Sequence, residues 1–209
     1  MYTLDIESAR KADTTGASIK ELGKYVGEIT QAKEIKSAKT GTKGIEFSFK
    51  SQSGQKANIS IYTLSAGGEK YQGYEVLMAI MTCMGLRTIK PVLGKATKYD
   101  YDTKKEVQEE CQIFPELCKP LGVLLETEDY QKQDGNIGTR MVLKNVFQAA
   151  TELTASEILD RKTKPEHLEK MVSGLRHRPL KGAKPTPTRQ HESSGDDRPF
   201  SNDDDLIPF

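Results

Sequence analysis

A chain of 209 residues, 35% apolar and 29% charged, has room for one sizeable folded domain and an appendage. Its formal net charge of +1 excludes any argument from bulk charge to a nucleic-acid, membrane or acidic partner. The distribution of charge says more: residues 1–160 carry a net of −1, residues 161–191 a net of +7 and residues 192–209 a net of −5, a block pattern expected of interaction tails.

Residues 1–22 read as a polar N-terminal segment. The start, MYTLDIESARKAD, has no apolar signal region, and the longest apolar run, VLMAIMTCMGL, is too short to span a bilayer. Cys83, Cys111 and Cys118 are an odd number with no CxxC spacing, which argues against a disulfide framework and for a reducing cytoplasm. Cys83 sits in the apolar run and is expected in the core.

Residues 23–150 carry the main domain. KYVGEITQAKEI is an imperfectly alternating strand, closed by the loop KSAKTGTKG. IEFSFK then alternates cleanly, with Ile45, Phe47 and Phe49 on one face and Glu46, Ser48 and Lys50 on the other. After the turn SQSGQ, KANISIYTL sets Ala57, Ile59, Ile61 and Thr63 against Asn58, Ser60 and Tyr62. The period of two with Gly-containing turns predicts a three-stranded meander. YEVLMAIMTCMG has helical apolar spacing over most of its surface, a buried helix closed by Gly85. Residues 87–120, with Pro91, Pro115 and Pro120, read as an irregular insertion with short strands.

GVLLETEDYQ and TRMVLKNVFQA are two further strands, joined by the turn-rich loop QKQDGNIG. Residues 151–177 hold two short helices, ELTASEILDRK capped by Thr154 and KPEHLEKMVSGL opened by Pro165. From 178 to 209 the composition of Pro, Thr, Ser, Gly and charge predicts a disordered linker and acidic tip. Three strands, a helix and two strands match a mainly β, five-stranded Greek-key barrel of the OB type with an inserted buried helix. A generic β-sandwich gives a similar string.

In an OB barrel, ligands lie across strands two and three, between the first and last hairpin loops. The first loop here carries Lys36, Lys39 and Lys43, and the strand leading into it Lys33. The second loop carries Lys132, and the strand after it Arg140 and Lys144 on one face. Lys50 and Tyr62 project from the polar face of strands two and three. Residues 24–64 hold seven lysines against three glutamates, so positive charge is concentrated in the first sheet. A single-stranded nucleic acid asks for such a surface, with lysines on its phosphates and an aromatic, first of all Tyr62, under a base. Tyr71, Tyr74, Tyr99 and Tyr101 are weaker stacking candidates. A solvated lysine-rich edge is the competing reading.

No pattern points to an enzyme, a cofactor or a small-molecule substrate. There is no GxxxxGK[ST] and no GxSxG, and His167, His177 and His191 have no partners at zinc-ligand spacing. Asp100, Asp102, Glu109 and Glu110 are explained by an exposed charged loop rather than a metal site. The basic stretch 161–191 either reinforces nucleic-acid binding or solubilises a linker.

The last residues, SNDDDLIPF, resemble the acidic C-terminal tip of the bacterial single-stranded DNA-binding proteins. Asp203, Asp204, Asp205, Ile207, Pro208 and Phe209 match that tip, and Leu206 is an extra residue. In that family the tip docks on replication, recombination and repair proteins; the resemblance implies the same partners here. The chemistry suits such docking, because the peptide presents an apolar plug, a terminal carboxylate and an acidic collar. More loosely, the stretch from ITQAKEIKSAKTGTKGIEFSF to GYEVLMAIMTCMGL looks like phage-encoded single-stranded DNA-binding proteins of the OB type. The chain departs from the bacterial family in having no Trp and in its 87–120 segment, so no stacking residue is carried over.

The expectation is a non-enzymatic protein that coats single-stranded DNA without sequence preference during phage DNA replication, recombination and repair, in the host cytoplasm and without a membrane partner. Its rivals are a recombination mediator or strand-annealing protein, and an adaptor that binds protein rather than nucleic acid.

Overall fold

The computed structural model describes residues 18–100, 105–132 and 134–180. The expected tip, from Asp203 through Leu206 to Phe209, and the tail from residue 181 onward lie outside the described residues. Strands β1 (Gly23–Lys36), β2 (Lys43–Ser51) and β3 (Lys56–Leu64) are followed by helix α1 (Gln72–Cys83). Strands β4 (Val92–Asp100) and β5 (Lys105–Ile113) come next, then a 3-10 turn at Pro115–Leu117 and strands β6 (Pro120–Gln131) and β7 (Ile137–Phe147). Helices α2 (Ala155–Leu159) and α3 (Leu168–Ser173) precede the two-residue strand β8 (His177–Arg178).

The meander forms where alternation predicts it. Across β2 and β3, Ile45 faces Ile61, Phe47 faces Ile59 and Phe49 faces Ala57, and all six are buried. The opposite face pairs Glu46 with Ser60, Ser48 with Asn58 and Lys50 with Lys56. The imperfect alternation of β1 has a structural cause: its register against β2 shifts between Ile29 and Gln31, so one extra residue bulges from the strand. Helix α1 ends as predicted. Gly85 takes a positive φ of 66°, its N–H donates to the Thr82 carbonyl, and the Leu86 N–H reaches back to Met81. Cys83 is buried, and burial pushes its thiol up to about 12.

β6 returns to pair antiparallel with the first half of β1, Gly23 opposite Leu125 and Glu28 opposite Pro120, and β7 pairs with β6. The mainly β fold is as expected, with eight strands in place of five. The described residues form an open, almost wholly antiparallel sheet of eight strands, and no ladder joins β3 to β7. β3 and β7 nonetheless lie close together, and helix α1 packs against both, its Leu77, Ile80 and Met81 sharing one core with Ile59, Ile61, Leu143 and Val146.

Three further boundaries differ from the sequence reading. The 87–120 segment is a regular β4–β5 hairpin, meeting β1 at Lys33 opposite Ile113. Its strands are longer and more regular than the short strands expected there; their described side chains are mostly exposed on both faces, so no alternation marks their extent. Pro165 precedes α3 by three residues rather than opening it. Arg178 belongs to the folded body, because β8 pairs in parallel with β6 and Arg178 meets the buried carboxylate of Glu126 at 2.6 Å. No helix among the described residues is long and apolar enough to cross a membrane.

Candidate nucleic-acid interface

The β1–β2 loop is a braced turn. The Ser37 N–H donates to the Thr42 carbonyl, the Gly41 N–H to the Ser37 carbonyl, and the Thr40 and Thr42 hydroxyls bond at 2.7 Å. Gly41 allows the turn through a φ of 68°. The loop therefore presents Lys36, Lys39 and Lys43 from a fixed platform, all exposed, with Lys36 directly opposite Lys43.

Tyr62 leaves the end of β3 beside this loop. It pairs with Gly44, one residue after Lys43, and its side chain is 46% exposed on the polar face. The start of α1 is seated against the same point: a Cβ on Gly73 would lie 2.2 Å from the Tyr62 carbonyl oxygen, so only glycine lets the helix approach so closely. The chain between is a tight connection. The Ser65 N–H donates to Glu69, the Tyr71 N–H donates to Thr63, and Lys70 forms a bridge to Leu64. Tyr71 is exposed, and the Lys70 ammonium sits 4.5 Å above the ring of Tyr74.

Lys36, Lys39, Lys43, Lys70, Tyr62, Tyr71 and Tyr74 thus cluster around one end of the β1–β3 sheet. Sequence reasoning ranked Tyr71 and Tyr74 low and missed Lys70. The signal is the KYQGY string, whose first two members are tied back onto β3 by the turn before them. From Tyr62 the polar face continues through Ser60, Ser48 and Asn58, the Ser48 hydroxyl bonding to Asn58, to the exposed pair Lys50 and Lys56. Tyr62 and Lys56, six residues apart on one face of β3, mark the two ends of this track, about 20 Å apart along an extended strand.

The other predicted residues are not brought to that track. Lys33 is a correction: its side chain is withdrawn under the β4–β5 hairpin, 6% exposed, with Nζ 3.1 Å from Glu46 and 3.2 Å from Glu109. Burial opposes its charge, but the two carboxylates outweigh burial and raise its pKa above the ordinary lysine value. Lys132 is exposed in the β6–β7 loop, but β6 runs antiparallel to β1 and past Gly23, which carries that loop to the end of β1 remote from Lys36. Arg140 makes two hydrogen bonds, at 2.8 and 2.6 Å, to the Glu128 carboxylate across the β6–β7 hairpin and lies 5.8 Å from the Tyr130 ring centre. Lys144 is exposed beside α1 and α2, in a groove it shares with Glu75 and Ser156.

A second polar centre lies at the C-terminal end of the body. Glu157 of α2 is fully buried and accepts hydrogen bonds from the Thr154 N–H and hydroxyl and from the N–H groups of Glu166 and His167. Burial would raise its pKa, but these four donors prevail and hold it at about 2. Every bond ties chain to chain, so the centre is a structural lock. Among the described residues no group of three or more His, Cys, Asp or Glu side chains gathers as a metal site.

No family model and no curated protein matches the chain.

Proposed function

We propose that the chain binds single-stranded DNA without sequence preference, serving phage DNA replication, recombination and repair. The observation that carries this reading is the gathering of four exposed lysines with Tyr62, Tyr71 and Tyr74 at one end of the β1–β3 sheet, where a polar face runs on from Tyr62. Lysines on a braced loop track phosphates, and tyrosine faces stack on bases whichever base is present, at about 1–3 kcal/mol each. The SNDDDLIPF segment supplies a docking arm for proteins that act at the same DNA, through its acidic collar and its Ile-Pro-Phe plug.

The experiment is a titration of the full chain with a dT oligonucleotide over a salt series, beside the triple variant Lys36→Ala, Lys39→Ala and Lys43→Ala. The intact chain binds at low salt, and log K falls with log salt. The triple variant binds more weakly, with a slope shallower by about 2, at roughly 0.7 per lost phosphate contact. An intact chain that fails to bind even at low salt overturns the reading.

A further inference from the structure

The β4–β5 hairpin is large for what it buries. Of its two nine-residue strands, Ala96 is fully buried, whereas Val92, Leu93 and Val107 are exposed. Burial of apolar surface does not explain why the ribbon lies where it does. Polar ties do. Gln31 acts on β4 as a neighbouring strand would: its amide donates to the Thr97 carbonyl at 3.0 Å, and its carbonyl accepts the Thr97 N–H at 2.8 Å. Two residues along, Lys33 joins Glu109 of β5 to Glu46 of β2, and Lys98 of β4 lies 3.8 Å from the second oxygen of Glu109. Gln31 pairs with Ser48 and Lys33 with Glu46, so these ties cross the polar face of the sheet from which Tyr62 projects.

We infer that the β4–β5 hairpin is a strap over the single-strand track, latched in the free protein by Lys33 and Glu109 and opened when phosphates of the bound strand take over Lys33 and Lys98. This rests on the nucleic-acid reading above and adds a regulation to that site. In the latched state two lysines and two glutamates neutralise one another, so the middle of the track offers no cation to a phosphate. An arriving strand supplies the competing anion. Once the lysines turn to it, Glu46 and Glu109 face the strand as like charges, and their repulsion sets the cost of opening. The latch also has little apolar contact to break, so opening exposes almost no core.

The test uses the full chain with Glu109→Gln and, separately, Lys98→Ala. It combines dT titration at low salt with hydrogen exchange at the β4 and β5 amides. Glu109→Gln removes one anion that competes with the strand, and is expected to bind dT about threefold to tenfold tighter while its strap amides exchange faster without DNA. Lys98→Ala is expected to bind more weakly, with a salt slope shallower by about 0.7. In the unmodified chain, adding dT changes exchange at Thr97. Binding by the unmodified chain with neither variant altering affinity and no change at Thr97 overturns the strap alone. Absence of any binding overturns the nucleic-acid reading and the strap with it.

Discussion

Two hairpins of this fold are built from strands of equal length, nine residues each, and they obey different physics. The β2–β3 hairpin spends one face on the core, six apolar side chains meeting in three cross-strand pairs. The β4–β5 hairpin offers the core little beyond Ala96; its backbone joins β1 only where Ile113 pairs with Lys33, and one amide and a small group of charges hold the rest over β1. The first is indispensable to folding. The second buries so little apolar surface that its displacement would expose little core.

The sharpest way to break this comparison is to truncate the core side of β2. Phe47, 1% exposed and paired with Ile59, is expected to cost about 3–5 kcal/mol as Phe47→Ala, read as a lower denaturation midpoint in urea. An unshifted midpoint would mean that β2–β3 is no more a core wall than the strap.

Glu157 calibrates what a polar tie is worth when it is a lock rather than a latch. Glu157→Gln puts an amide against four donors that want a carboxylate and is expected to cost about 1.5–3 kcal/mol. The pH dependence has a definite sign. The folded pKa of about 2 lies below the ordinary 4.5, so the stabilisation is fully present above about 4.5 and is lost as pH falls toward 2. Acid unfolding followed by circular dichroism should show this loss in the unmodified chain, and Glu157→Gln should flatten it. Equal acid sensitivity in the two proteins would remove Glu157 as the lock.

Tyr62 separates the two faces of a single strand. It lies one residue after the buried Ile61 on β3, yet projects to the polar side. Tyr62→Ala is expected to leave the urea midpoint nearly unchanged and to weaken dT binding by about 1–3 kcal/mol. A variant that binds as well as the unmodified chain would place the stacking on Tyr71 and Tyr74 instead.

The legibility of the fold follows the same division. Where one face is buried, as in IEFSFK and KANISIYTL, the period of two was plain and the strands formed as read. Where most described side chains of both faces are wet, as in Val92–Lys98 apart from Ala96 and in KEVQEECQI, there is little period to read, and the sequence predicts only an irregular insertion with short strands. Within the candidate site, Lys36, Lys39, Lys43 and Tyr62 were legible because loop and strand neighbours place them. Lys70 was not, because a turn between Ser65 and Glu69 brings it there. The burial of Lys33 is not legible for a related reason: one of its two carboxylate partners, Glu109, is 76 residues away, which no local pattern announces.

The smallest expected effect tests the strap side of the comparison. Leu93 on β4 is 72% exposed, so Leu93→Ser removes little buried surface, and global stability should change by about 0.5 kcal/mol or less. Hydrogen exchange adds resolution that a midpoint lacks. The β4 and β5 amides should exchange through local opening at a lower free energy than those of β2 and β3, because a polar latch opens without exposing core while the Phe47–Ile59 wall opens only with it. Leu93→Ser should leave that ordering intact. If it lowers global stability as much as a core truncation, or if both hairpins exchange at one common free energy, the strap is a cooperative part of the core and the distinction between the two ribbons fails.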